Sequence, residues 1–142
     1  MTTIKVIAFD VYDTILCARD CENALPPRDG FADFILKAKA LGIKTVTSSD
    51  AQSESVQRHL SCNFKNRMPF GIGIFDGFFC LKMRPKNYQE IIAFFGIKES
   101  ELMVIGNSLY NDLSGAPAES TKISVPDYKI AGDKFSFASI AL

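Results

Sequence analysis

The feature that most constrains this chain is a mainly apolar segment at residues 4–9 that ends directly in Asp10. A run rich in branched apolar residues suits a buried strand of a parallel sheet, which is apolar on both faces. Open α/β sheets bind their ligands beyond the carboxyl ends of such strands. Asp10 could therefore be a nucleophile, a metal ligand or both. The ordinary alternative is an aspartate that forms a turn or caps a helix, and this segment alone favours neither.

Strand-like and helix-like segments alternate along the rest of the chain, with apolar residues at helical spacing after each strand. This alternation predicts an α/β fold: a three-layer, doubly wound parallel sheet in one domain spanning residues 1–142, with no cap domain. Residues 15–28, too short for a domain, are expected to form a flap over the end of the first strand. The predicted helices cover 29–41, 51–60 and 85–95, the further strands cover 43–47, 102–105 and 121–125, and short strand-like pieces lie at 70–74 and 78–81.

Composition narrows the classes of function. The 142 residues suit one domain with a core, and 47% of them are apolar. The net charge is zero and there is no basic block, so nucleic-acid binding is not expected. No apolar run reaches the length of a membrane span, so no membrane association is expected. The four cysteines form no Cys-x-x-Cys pair, which is typical of reduced thiols in a cytoplasmic protein.

Polar side chains follow several of the predicted strands. Asp10, Ser49 and the loop from Asn107 to Asp112 each come after a strand, and Lys82 ends a short strand-like piece. Because parallel strands end at one edge of the sheet, these groups should meet there. The carboxylates and the amide are hard oxygen ligands suited to Mg²⁺, and the hydroxyl and ammonium groups could bind a phosphate. The combination suits phosphoryl transfer.

Four short motifs follow one another along the chain at these strand ends. The first is Phe-Asp-Val-Tyr-Asp-Thr at residues 9–14, and the second is Ser49 after the second strand. The third is Lys-Met-Arg-Pro at 82–85, and the fourth runs from Gly106 to Asp112, with Gly115 beyond it. Together they resemble the motifs of the haloacid dehalogenase-like (HAD) superfamily of hydrolases. Each motif is weak alone, but four in the right order, each at a strand end, are a specific signal.

The resemblance implies a role for each matched residue. Asp10 would attack phosphorus and form an aspartyl-phosphate that water then hydrolyses. Lys82 would bind phosphate, and it is preferred over Lys86 and Arg84 because its distance to Gly96 fits the family pattern better. Lys86 and Arg84 are expected at a solvated helix start. The remaining implied ligands are Thr14 and Ser49 for phosphate, and Asp10, the Tyr12 backbone carbonyl, Asn107 and Asp112 for Mg²⁺.

Two positions depart from the family pattern. Phosphatases of this family usually carry an acid–base aspartate where this chain has Tyr12, and a phenol with a pKa of about 10 is a poor base near neutral pH. Losing a general acid–base costs about 10²- to 10⁴-fold in rate, so slow turnover is expected. Asp13 could substitute only if the backbone coils after Tyr12. Asn107 is neutral in the acidic fourth motif, which should weaken Mg²⁺ binding. His59 is expected on a helix surface without a catalytic role.

Three functions remain open on the sequence. The first is a Mg²⁺-dependent phosphohydrolase whose capless, open site favours a phosphorylated small molecule, a macromolecular phosphoester or a lid from a second subunit of a homo-oligomer. The second is a binding or regulatory protein on the same fold that has lost turnover, favoured by Tyr12 and Asn107. The third, ranked lowest, is a 2-haloacid dehalogenase; a tyrosine at position 12 resembles those enzymes, but too few residues separate Thr14 from Ser49 to hold their cap.

Overall fold

The computed structural model describes residues 3–20, 25–129 and 131–142. The predicted flap at 15–28 therefore lies partly outside the described residues, because residues 21–24 are not among them. The described part of the flap is irregular, apart from an isolated bridge between Tyr12 and Leu16. Within the described ranges, no helix combines the length and the apolar character needed to cross a bilayer.

The centre of the fold is a five-stranded sheet in which every neighbouring pair of strands is parallel. The spatial order β3-β2-β1-β4-β5 places the first strand in the middle. The strands are β1 (Val6–Phe9), β2 (Lys44–Thr47), β3 (Gly77–Phe78), β4 (Leu102–Gly106) and β5 (Thr121–Ser124), and the helices are α1 (Phe31–Ala40), α2 (Ser53–Phe64), α3 (Gln89–Phe95) and a π-helix (Leu109–Leu113).

Side chains of β1 alternate between two separate hydrophobic cores, one on each face of the sheet. Ile7 and Phe9 pack in the core that contains α1 and α2, whereas Val6 and Ala8 pack in the core that contains α3. Each of these side chains is at most 1% exposed. Burying a large apolar side chain contributes about 1.5–3 kcal/mol. The sequence prediction of a three-layer α/β fold with a parallel sheet is confirmed.

Helix α1 forms where the apolar spacing predicts it. Its buried residues, Phe31, Phe34, Ile35 and Ala38, fall on one face, as a 3.6-residue period requires. Gly42, just beyond the helix, has a φ of +78°, a left-handed conformation that glycine adopts without steric cost. The C-terminal segment packs back onto this layer, since Phe137 is fully buried.

Several predicted elements and bounds differ from the structure. Residues 70–74 do not form a strand, because Ile72–Ile74 is a single 3₁₀ turn. Helix α2 begins at Ser53 and is not capped by Ser49 or Asp50. Helix α3 begins at Gln89 rather than at Pro85, so the residues from 85 to 88 lie outside it. The third difference alters the candidate site.

Candidate active site

The sheet register places Asp10 at the middle of the carboxyl edge. Phe9 pairs with Thr47 on one side and with Ile105 on the other. The Asp10 N–H donates to the carbonyl oxygen of Ile105 at 2.9 Å, which continues the β1–β4 ladder by one residue. Asp10 is only 8% exposed. The acid at the end of the first strand therefore lies between the ends of β2 and β4.

Lys86 joins Asp10 to Asp112 across this edge. Its Nζ donates to Asp10 Oδ1 at 2.9 Å and to Asp112 Oδ1 at 2.5 Å. Lys86 and Asp112 are each 1% exposed. Because both carboxylates contact the same ammonium group, the acids of the first and fourth motifs share one small polar site.

Two glycines permit this close packing. A Cβ placed on Gly106, at the end of β4, would lie 2.5 Å from the carboxyl group of Asp112. A Cβ on Gly115 would lie 2.0 Å from the backbone oxygen of Lys86. Side chains at these two positions would displace Asp112 and the segment carrying Lys86, so both glycines are required by close approach.

The segment before α3 is held against the π-helix, which explains why it is not helical. The Lys86 N–H donates to the backbone oxygen of Asn111 at 2.9 Å, and the Tyr88 hydroxyl donates to that of Asp112 at 2.9 Å. These tertiary contacts direct Lys86 inward. The expectation that Lys86 lies at a solvated helix start is wrong, because the helix begins three residues later and the ammonium group is buried in an ion pair.

The structure does not bring Lys82 to Asp10. Lys82 is exposed and lines a shallow surface depression with Cys80 and Asn87. Arg84 is also at the surface, where its guanidinium group lies 3.5 Å from Asp50. Of the three cations weighed for the third motif, the structure places Lys86 beside the two carboxylates.

Burial and charge act in opposite directions on the pKa values of this cluster. The pKa of Asp10 is raised from 3.8 to about 6, mainly by burial; Lys86 opposes this rise and the repulsion from Asp112 adds to it. Burial alone would lower the pKa of Lys86, but the two carboxylates raise it above its usual value. Lys86 therefore stays protonated near neutral pH, and Asp10 becomes predominantly ionised only above about pH 6.

Thr14 links the first and fourth motifs on the other side of Asp10. Its hydroxyl lies 3.0 Å from Asp10 Oδ2 and 3.3 Å from Asn107 Oδ1. Thr14 is completely buried. The Asn107 carbonyl oxygen therefore lies on the side of the site where Asp10 lies.

Tyr12 points toward helix α2. Its hydroxyl lies 2.6 Å from His59 Nδ1, and the two rings meet edge to face. Burial raises the pKa of the Tyr12 phenol above its usual value, so it stays protonated near neutral pH. His59 is half-buried, not fully on the surface as expected, and no local sequence signal predicts a partner 47 positions away.

Asp13 forms a turn. The backbone does coil after Tyr12, because Asp13 has a φ of +62°. Its carboxylate accepts a hydrogen bond from the Ala18 N–H at 2.8 Å, and its own N–H donates to Leu16. The Asp13 side chain therefore stabilises the loop that follows the first strand.

Ser49 lies one residue beyond the end of the β2 ladder, as predicted. The Ser48 N–H still donates to Phe9 at 2.8 Å, and the Ser49 backbone oxygen accepts from Leu81 at 2.9 Å. Ser49 is 1% exposed, and its hydroxyl accepts from the Ala51 N–H at 3.1 Å. The hydroxyl thus lies at the same sheet edge as Asp10, in a turn that precedes α2.

The donor set at this edge fits Mg²⁺ better than a softer metal. Among residues 3–20, 25–129 and 131–142, no three His, Cys, Asp or Glu side chains are grouped to hold a metal ion. The carboxylates of Asp10 and Asp112 both contact Lys86, and the amide oxygen of Asn107 lies near Thr14, which also contacts Asp10. Mg²⁺ is bound by few protein oxygens and keeps several waters, so Asp10, Asp112 and Asn107 are the side chains here that could hold it.

Solved structures share this fold at low sequence identity. The sequence matches no protein family model and no curated protein. The N-terminal part of the protein BF1531 from Bacteroides fragilis, described as containing a phosphatase domain complexed with Mg, has a TM-score of 0.71 and 15% identity. The match covers 88% of this chain but only 37% of that one. At such identity the likeness shows the fold alone.

Two further structures have the same α/β arrangement. An uncharacterised protein from Listeria monocytogenes serotype 4b has a TM-score of 0.64 and 16% identity, with 89% of this chain and 85% of that chain covered. A hypothetical protein, XCC2798, from Xanthomonas campestris has a TM-score of 0.54 and 16% identity, with 85% and 63% covered. The Listeria protein is thus close to this chain in extent.

Proposed function

We propose that this chain is a phosphohydrolase of the HAD superfamily that uses Mg²⁺ and an aspartyl-phosphate on Asp10. The observation that carries the proposal is the buried ammonium group of Lys86, which contacts Asp10 and Asp112 at once. A cation between two carboxylates can neutralise the charge of an incoming phosphate while the nucleophile stays ionised. The Mg-containing phosphatase domain of similar fold supports the proposal without deciding it.

The proposed reaction has two steps. A carboxylate oxygen of Asp10 attacks phosphorus, the bond from phosphorus to the leaving oxygen breaks, and that oxygen takes a proton from water. Water then attacks phosphorus, the Asp10–phosphorus bond breaks, and inorganic phosphate leaves. Lys86 and Ser49 would contact phosphate oxygens, and Asp10, Asp112, Asn107 and the Tyr12 backbone carbonyl would hold Mg²⁺. When bound, Mg²⁺ supplies positive charge that offsets the phosphate.

Turnover is proposed to be slow because the position of the usual acid–base carries Tyr12. The Tyr12 hydroxyl is paired with His59, and the Asp13 carboxylate is engaged with Ala18. The proposal therefore assigns neither side chain the role of protonating the leaving group. The substrate class proposed is a phosphorylated small molecule or a macromolecular phosphoester, with a good leaving group favoured.

Hydrolysis of p-nitrophenyl phosphate tests the proposal, because its leaving group needs little help from an acid. We expect release of p-nitrophenolate that depends on Mg²⁺ and stops when the metal is chelated with EDTA. Release of p-nitrophenolate that is unchanged by EDTA would contradict a Mg²⁺-dependent site. 2-Chloropropionate, as a parallel substrate, should release no chloride.

A binding or regulatory protein on the same fold is the second candidate. It is favoured by Tyr12 and by the neutral Asn107, neither of which suits fast turnover. This candidate predicts that Mg²⁺ and inorganic phosphate bind while p-nitrophenyl phosphate is not hydrolysed. The assay above, combined with calorimetric titration of phosphate, separates the two functions.

A further inference from the structure

The side chain of Asn107 has a partner beyond the fourth motif. Its Nδ2 donates to Asp127 Oδ1 at 2.9 Å. Asp127 follows the end of β5 by three positions, at the same edge of the sheet as Asp10. A carboxylate can accept hydrogen bonds but, when ionised, cannot donate them. The contact with Asp127 therefore requires that the NH₂ end of the Asn107 side chain, and not its carbonyl oxygen, faces the C-terminal segment.

This contact fixes the orientation of the Asn107 oxygen. With Nδ2 directed at Asp127, Oδ1 lies 3.3 Å from the Thr14 hydroxyl, which also contacts Asp10. Without Asp127 the amide is free to rotate by half a turn, and it would then direct two N–H donors at any cation beside Asp10. An asparagine is a useful oxygen ligand only in one of its two orientations.

The backbone at Asp127 is anchored to the loop that follows the first strand. Arg28, only 1% exposed, donates from Nη2 to the Asp127 backbone oxygen and from Nη1 to that of Asp13, each at 3.2 Å. The next residue, Tyr128, donates its N–H to the Asp13 oxygen at 2.9 Å. The backbone position of Asp127 is thus fixed relative to the site, although its side chain reaches the surface.

We propose that Asp127 is a positioning residue for cation binding: it orients the Asn107 oxygen toward the metal and restores, one hydrogen bond away, the charge that Asn107 lacks. The inference rests on the Mg²⁺ site of the proposed function and adds to it a residue outside the four motifs. Groups that orient a metal ligand in this way typically account for about 10- to 100-fold in affinity.

Calorimetric titration of the full chain with Mg²⁺ tests this proposal without relying on turnover. Asp127→Ala should weaken Mg²⁺ binding by about 10-fold or more. In the Asn107→Asp background the same substitution should have little effect, because a carboxylate at position 107 presents oxygen in either orientation. Asp33→Ala, which removes an exposed aspartate of α1, controls for the loss of one negative charge. Circular dichroism melting checks that each variant is folded.

The outcomes separate this inference from the proposed function. If Asp127→Ala weakens Mg²⁺ binding in the wild-type background but not in the Asn107→Asp background, the positioning role is supported. An equal loss in both backgrounds would assign Asp127 a merely structural part, and an unchanged affinity in the first would assign it none; either overturns the inference and leaves the proposed Mg²⁺ site intact. Wild-type protein that binds no Mg²⁺ would overturn the Mg²⁺ site itself, and the inference with it.

Discussion

Replacing Asp10 with asparagine is expected to reduce the hydrolysis of p-nitrophenyl phosphate to the level of the buffer. The amide is nearly the same size as the carboxylate and can still accept a hydrogen bond from Lys86, so the site should remain folded. It cannot, however, act as a nucleophile toward phosphorus. An enzyme with a covalent intermediate loses about 10⁶-fold in kcat when its nucleophile is removed. The measurement is the initial rate with saturating Mg²⁺.

Asp13→Asn is the matched comparison, three positions away on the same loop. Asparagine tolerates the left-handed conformation at this position, where φ is +62°, and its oxygen can still accept from Ala18. We expect a far smaller loss of rate than for Asp10→Asn. If Asp10→Asn kept the wild-type rate, this site would not be the source of the activity. A complete loss of rate in Asp13→Asn, with none in Asp10→Asn, would mean that the catalytic carboxylate is Asp13 and not Asp10.

Lys86→Met is expected to impair both stability and activity, the second large effect. The substitution leaves Asp10 and Asp112 buried together without a counter-charge. Removing one partner of a buried ion pair typically costs about 3–5 kcal/mol in the free energy of unfolding. It also removes the ammonium group that we propose contacts the phosphate, and loss of such a donor typically costs about 10²- to 10³-fold in kcat. Urea denaturation without Mg²⁺ at neutral pH measures the first effect, and the Mg²⁺-dependent rate measures the second.

The stability loss in Lys86→Met should depend on pH in a defined direction. In the wild type the pKa of Asp10 is raised to about 6, so between about pH 4 and pH 6 the folded state holds a proton that the unfolded state has released. Because the folded state binds more protons than the unfolded state in this window, the free energy of unfolding falls as the pH rises through it. Without Lys86 the pKa of Asp10 rises further. The variant should therefore be least stable above neutral pH and should approach the wild type as the pH falls below 6.

Lys82→Met is the control for this experiment, because it removes the same charge from an exposed lysine four positions earlier. We expect the Lys82→Met protein to match the wild type in both measurements. The reverse pattern, in which Lys82→Met loses activity and Lys86→Met keeps it, would mean that the third-motif cation is the one the sequence favoured. Equal effects of the two substitutions would indicate only a general response to charge.

The sheet and its carboxyl edge could be predicted because their signals are local. The apolar segment before Asp10 and the apolar residues at 102–105 read as buried strands without knowledge of their neighbours. Once the strands are parallel, the residues that follow them must meet at one edge. Asp10 and Asp112 do lie at this edge, where both contact Lys86. Applied to the end of β5, the same rule would also have selected Asp127.

The position of the lysine could not be predicted because it depends on tertiary contacts. Pro85 is a good first residue for a helix, and a helix starting there would have turned Lys86 toward solvent. The π-helix competes for the same segment by accepting hydrogen bonds from Lys86 and Tyr88. The close approach at Gly115 is part of the same packing. Likewise the pairing of Tyr12 with His59 joins two elements whose separation in the chain gives no local signal.

A crystal structure of the chain with Mg²⁺ and beryllium fluoride, a mimic of the aspartyl-phosphate, tests the central claim most directly. We expect the fluoroberyllate on a carboxylate oxygen of Asp10, with Lys86 in contact with its fluorine atoms. Mg²⁺ should lie about 2.0–2.1 Å from oxygens of both Asp10 and Asp112. A fluoroberyllate bound away from Asp10, or a Mg²⁺ ion that Asp112 does not contact, would contradict the shared site.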